Sequence, residues 1–207
     1  NWSTNQKNIA FTNTSSDGVK LWVLNLESRS LVKLSDLKLN SNIRDVINWL
    51  NDSEILIKVI PENKKELIDQ SGIVPLGPTI SSNDGENAQN RTYQDLLKNK
   101  TDEFNFEQLV TSDLYKVDLN GRINKWLDSD MYTDITPSPD GEFVMVSNIK
   151  KPFSYIVTYG RFPKSTNIYN NEGMLVSNLV DVPLIEELPQ GFNAVWNGKR
   201  NFSWRMD

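Results

Sequence analysis

Short runs of alternating or continuously apolar residues recur along the chain, each bounded by turn-forming residues. Glu142–Asn148 reads EFVMVSN, Ser53–Ile60 reads SEILIKVI and Leu114–Leu119 reads LYKVDL. A period of two over so few residues is the pattern of β-strands, and Asp-Gly or Asn-Gly pairs between such runs predict tight hairpins. The pattern therefore predicts antiparallel β-structure over most of the chain.

The turns fall into two registered sets. One precedes a strand, at Asn5-Gln6, Asp52-Ser53, Asp140-Gly141 and Asn197-Gly198. The other joins two later strands in LWVLNLESRSLVKL, LYKVDLNGRINKWL and TNIYNNEGMLVSNL, which align on Asn25, Asp118 and Asn170. Their turn pairs are Glu27-Ser28, Asn120-Gly121 and Glu172-Gly173. From the second kind of turn to the next of the first kind the gaps are 25, 20 and 25 residues; in the other direction they are 22, 68 and 32. The repeating unit is thus four short strands, with extra residues always between its second and third. That is the signature of a propeller blade. The fold expected is all-β: a partial β-propeller of about three four-stranded antiparallel blades, with a short helical insertion in the second. Blade 1 spans about residues 1–36, blade 2 about 43–128 with an insertion at 61–112, and blade 3 about 132–180. A fourth blade opens at about 192–207.

The larger insertion begins with GPTISSNDGENAQN, a Gly/Ser/Asn-rich stretch that reads as loop. Apolar residues then fall at Tyr93, Leu96, Leu97, Phe104, Phe106, Leu109 and Val110, a spacing that suits two short amphipathic helices with Thr92 and Thr101 as candidate N-caps. An excursion of this kind either covers a blade edge or acts as a lid or partner contact. The smaller insertion, KKPFSYIVTYGRFP in blade 3, is dense in aromatic residues around Arg161. Tyr155, Val157 and Tyr159 could pack between blades, or Arg161 could bind a peptide carboxylate or carbonyl.

Composition narrows the chemistry. The chain of 207 residues is 38% hydrophobic and 24% charged, with a net charge of −5. That balance is typical of a globular protein and argues against a nucleic-acid surface. No apolar run approaches the roughly 20 residues of a membrane span. There is no cysteine and no histidine. The chain therefore lacks the usual general base of serine and cysteine hydrolases and the commonest zinc ligand. No G-x-S-x-G, G-x-G-x-x-G or Walker A loop is present. The 27 acidic residues are scattered without a chosen pair. No active site and no cofactor are expected within this segment.

Several stretches resemble a known family: IAFTNTSSDGVKLWVLNLES, NRTYQDLLKN, TSDLYKVDLNG, ITPSPDGEF, KPFSYIVTYGRFP and FSWRMD. They look like the N-terminal β-propeller of prolyl oligopeptidase-family serine peptidases, in the bacterial glutamyl endopeptidase-like or dipeptidyl/acylaminoacyl peptidase-like branches. RTYQDLL and PFSYIVTYGRFP carry most of the specificity, whereas SPDG is shared by many propellers. The resemblance implies a C-terminal α/β-hydrolase domain with a Ser-Asp-His triad beyond this segment, and a propeller that gates and orients peptide substrates. It implies no cofactor. In some relatives the propeller supplies an arginine or a glutamate pair that holds the substrate terminus. Arg161, Tyr159 and Arg205 are the candidate substrate-binding residues here, with Glu186-Glu187 as an acidic pair, and none falls in a matching motif. The alternative is a stand-alone propeller that binds a protein or ligand. Expected partners are peptides, the hydrolase domain of the same protein and, through open blade edges, other copies of the chain. The compartment is left open, a periplasmic or secreted parent included.

Overall fold

The computed structural model describes residues 1–69, 93–187 and 195–205. These residues form ten strands and one α-helix. Strands β1 (Asn8–Ser15), β2 (Gly18–Asn25) and β3 (Ser30–Lys33) form one antiparallel sheet in sequence order. Trp2 adds a single bridge to Ile9 where a fourth strand would lie. The other seven strands, β4 (Ile47–Trp49), β5 (Glu54–Val59), β6 (Ser112–Asp118), β7 (Ile123–Pro137), β8 (Phe143–Ile149), β9 (Lys164–Asn170) and β10 (Leu175–Val182), hydrogen-bond as one antiparallel run in sequence order. The helix α1 (Lys100–Val110) interrupts that run between β5 and β6.

The seven strands make two four-stranded units because β7 serves in both. Its first half pairs with β6, ending at Ser112↔Asp130, and its second half pairs with β8 from Met131↔Ile149. The chain thus passes from one blade into the next without a break. The fold is a partial β-propeller.

Burial explains why some strands read as continuous apolar runs. In β5, Ile55, Ile57 and Val59 enter the core shared with Ala10, Leu21 and Val23 of the first sheet. Leu56, pointing the other way, joins Leu114, Tyr132, Ile135, Val144 and Val146. A strand sandwiched between two neighbouring blades has no solvent face, so alternation disappears. The outer strands lack this cover, and β3 leaves Leu31 and Val32 exposed.

The hairpins follow the turn residues. Gly141 sits at φ +74°, and a Cβ there would lie 2.7 Å from the Leu50 carbonyl oxygen. Gly173 sits at φ +84° with the Trp126 carbonyl oxygen at the same 2.7 Å. Both turns press glycine backbone against the preceding blade, which is why no side chain fits. The turn at Asn197-Gly198 is different. Residues 195–205 form no strand of a fourth blade; instead the Trp204 indole N–H donates to the Thr136 carbonyl at 2.8 Å.

Candidate functional site

The two insertions meet. β5 ends at Val59 and β6 begins at Ser112, with Val59 paired to Asp113, so the large excursion leaves and rejoins the sheet between adjacent strands. Among its described residues it forms α1, whose cap is Asn99 rather than Thr101. The Asn99 side chain accepts from the Asp102 N–H at 2.9 Å, and Asp102 in turn accepts from the Lys98 N–H at 2.8 Å. This reciprocal pair satisfies two backbone donors at the helix start, and it leaves Thr101 inside the first turn. We expect Asn99→Ala to cost about 1 kcal/mol, measured as a shift in the urea unfolding midpoint.

A second helix over residues 93–97 does not form. Asp95 adopts φ +56°, which no right-handed helical turn accommodates. Thr92 and the stretch 78–90, expected to stay exposed, lie outside the described residues. Leu96, Phe104 and Leu109 are only half-buried, and the residues that pack inward are Tyr93, Leu97, Phe106 and Val110. At the other end of α1, Asn40 donates to the Leu109 and Thr111 carbonyls, both at 2.9 Å. That takes up carbonyls that the helix itself cannot satisfy.

The aromatic insertion forms no strand, so Tyr155, Val157 and Tyr159 do not alternate across a sheet. Phe153 and Phe162 are buried and stack with centroids 5.2 Å apart; Phe106 of α1 meets both edge-on, at 5.2 and 5.7 Å. Val110, Met131, Ile149 and Val157 complete this third core. Polar contacts frame it. Lys151 pairs with Glu107 at 2.8 Å, and the Tyr155 hydroxyl donates to Glu103 at 2.6 Å. The hydrogen bond from Tyr155, followed by the one from Lys100, holds the Glu103 carboxyl below its usual range. These contacts are exposed and worth little individually; the aromatic packing carries the interface.

Between the insertions lies an apolar cavity of about 220 Å³, lined mainly by Leu96, Leu97, Phe106, Val157, Tyr159 and Phe162. Tyr159 and Arg161 bound the 3₁₀ turn Tyr159–Arg161. Tyr159 is 46% exposed at the cavity, with its ring 6.2 Å from Phe106. The Arg161 guanidinium lies over the Tyr93 ring, 5.3 Å from its centroid. The Arg161 Nη1 and the Tyr93 hydroxyl are both screened from solvent with no hydrogen-bond partner. Each such group costs about 1–3 kcal/mol relative to a satisfied one. Arg205, beside Trp204, is exposed and placed near Thr136 rather than on this turn. Glu186 accepts from the Ser154 hydroxyl at 2.6 Å, in a loop. The apolar spacing places Tyr93 and Phe106 only on a helix face, since nothing local shows that they meet Arg161 and Phe153, about 70 and 50 residues further on. Among the described residues no group of acidic side chains could hold a metal ion, and no helix is long and apolar enough to cross a membrane.

No family model matches the chain. Two curated proteins align with all of it. One, named "Probable glutamyl endopeptidase, chloroplastic", from Oryza sativa subsp. japonica, is 36% identical over 216 residues. Its namesake from Arabidopsis thaliana is 34% identical over 215. The likeness is to peptidases. The chain spans 23% and 22% of these relatives' lengths, so it corresponds to one segment of a much larger protein. Both are plant proteins and neither represents the bacterial branch suggested by the sequence motifs. Among solved structures, a TolB candidate from Agrobacterium tumefaciens superposes with a TM-score of 0.51 at 11% identity, over 87% of this chain and 47% of its own. That match supports the propeller fold alone.

Proposed function

We propose that this chain is the non-catalytic propeller segment of a serine peptidase, in which it gates and orients peptides for a hydrolase domain elsewhere in the protein. The observation that carries the reading is the end-to-end likeness to two glutamyl endopeptidases, in a segment that has no histidine to serve a catalytic serine. The joined insertions are the part suited to gating. They form one cohesive body at an end of the β6–β7–β8 ladder, held by Phe106, Phe153 and Phe162. Tyr159 and Arg161 lie on that body and are proposed to meet the peptide; Arg205 does not share the turn.

The test uses the full-length protein. A fluorophosphonate should label a serine outside residues 1–207, and the 207-residue chain alone should turn over no chromogenic peptide. Phe106→Ala should loosen α1 from the aromatic insertion. Turnover of a peptide of about thirty residues should then rise several-fold relative to a tripeptide if the insertions screen by size. A labelled serine within the segment would overturn the non-catalytic assignment, and equal effects on both peptides would overturn gating.

A further inference from the structure

We propose that the apolar cavity between the two insertions is a socket for one large apolar side chain, aromatic or branched, in the interior of an extended peptide. The inference rests on the peptide-handling role above and adds a preference that this role does not contain. The peptide is held through a side chain and not through either terminus.

The cavity is preformed. Its apolar walls are Leu96 and Leu97 of the larger insertion, Phe106 of α1, and Val157, Tyr159 and Phe162 of the aromatic insertion. They are not free to close on the space between them. Val157 and Phe162 are buried in the third core, and Phe106 is held edge-on to both Phe153 and Phe162. On the other side Asp95, at φ +56°, turns the backbone just before Leu96 and Leu97. An apolar space fixed in this way gives water few partners, and cavities of about 150 Å³ with such linings hold a benzene ring. At about 220 Å³ this one has room for a phenyl or a branched aliphatic group and not for a folded element.

The mouth suits an extended chain. Gln94, Asp95 and Thr158 complete the lining, so polar groups stand beside the apolar walls, as in a small-ligand pocket. Tyr159 is half-exposed and offers its ring to an incoming aromatic group. Gly160 follows it in the 3₁₀ turn. Apart from its chain neighbours, a Cβ at Gly160 would meet nothing nearer than the Thr158 Oγ1, at 3.9 Å. A second main chain can therefore lie against this turn while one of its side chains enters the cavity. A socket for a single side chain beside bare backbone fits a peptide better than a folded partner, which needs a broad apolar surface.

The test titrates blocked tripeptides, acetylated and amidated so that no terminus is charged, into the 207-residue chain while the methyl signals of Leu96, Leu97 and Val157 are followed by NMR. Gly-Phe-Gly and Gly-Leu-Gly should shift these signals and bind at least about tenfold more tightly than Gly-Ala-Gly, the ratio expected from burying the larger side chain. Toluene, which carries the ring without a peptide, should shift the same methyls and compete with Gly-Phe-Gly. Leu96→Ala enlarges the cavity and should move the preference from phenylalanine towards tryptophan, whereas Leu96→Trp fills it and should abolish the discrimination. Equal affinity for the three peptides, unmoved methyl signals, or a phenylalanine preference unchanged by Leu96→Ala would overturn the site. Toluene binding that Gly-Phe-Gly does not displace would overturn the peptide as its occupant. None of these results depends on hydrolysis, so the peptidase assignment is tested separately by active-site labelling.

Discussion

Phe162→Ala is expected to destabilise the protein by about 3–5 kcal/mol, the range for emptying a buried aromatic site. Phe162 is 2% exposed and touches the core from three directions. It stacks on Phe153, takes the edge of Phe106, and sits with Ile149 at the end of β8. Phe153 belongs to the aromatic insertion, Phe106 to α1 and Ile149 to the sheet, so one ring ties both excursions to the blade. Each well-oriented aromatic pair adds about 0.5–1.5 kcal/mol beyond the area it buries. The cavity left behind would have no side chain positioned to fill it, because its neighbours are held by their own strands and caps. In a chain of this size the loss should lower the melting temperature on the order of 10 °C. Phe106→Ala removes a half-buried ring and should act more locally, speeding hydrogen exchange of α1 amides while the strands stay protected. A Phe162→Ala change below about 1 kcal/mol in urea unfolding would mean that the insertions are not held through this ring.

The strands and hairpins were readable because their signals are local. Asp140-Gly141 and Glu172-Gly173 announce turns by residue type, and the structure supplies the reason, a glycine pressed on a carbonyl of the preceding blade. The constant spacing between turn sets then gave the four-stranded repeat. What was not readable depended on distant partners. The apolar spacing points to a helix start at Thr101, yet the cap is decided by the Asn99–Asp102 pair, two residues earlier. The second helix failed at Asp95, whose backbone conformation carries no sequence mark beyond a modest preference of Asp for that region. The continuity of β7 through two blades is likewise invisible in its composition. The candidate site shows both limits. Arg161 and Tyr159 stood out as a cation among aromatics, but their partners Tyr93 and Phe106 come from an insertion with no sequence link to them. Arg205 had only its residue type in its favour.

The remaining large effect concerns Lys58, in the middle of β5. Its side chain is 1% exposed, and its ammonium donates to the carbonyls of Ile43 (2.9 Å), Arg44 and Tyr132 (3.5 Å). Three carbonyls match its three donors and join the chain entering β4 to the inner half of β7, so the amine ties two blades together. Burial pushes its pKa down to about 8, against the opposing pull of Asp45 and Asp134. An unfolded lysine titrates near 10.5. Below pH 8 both states are protonated, and the cost of burying the charge is present in full. Between about 8 and 10.5 the unfolded chain holds the proton that the folded one has released, so stability rises with pH across that window. The total gain is about 3 kcal/mol. Lys58→Met keeps the length of the side chain and removes its titration. Subtracting the variant's unfolding free energy from the wild type's cancels the other titrating groups, tyrosines included, and leaves the lysine contribution. That difference should be flat from pH 6 to 8 and then climb in favour of the wild type up to about pH 10.5. A difference that stays flat across the whole range would mean that the Lys58 amine keeps an ordinary pKa in the folded protein, and that the carbonyls around it fully replace the water it has lost.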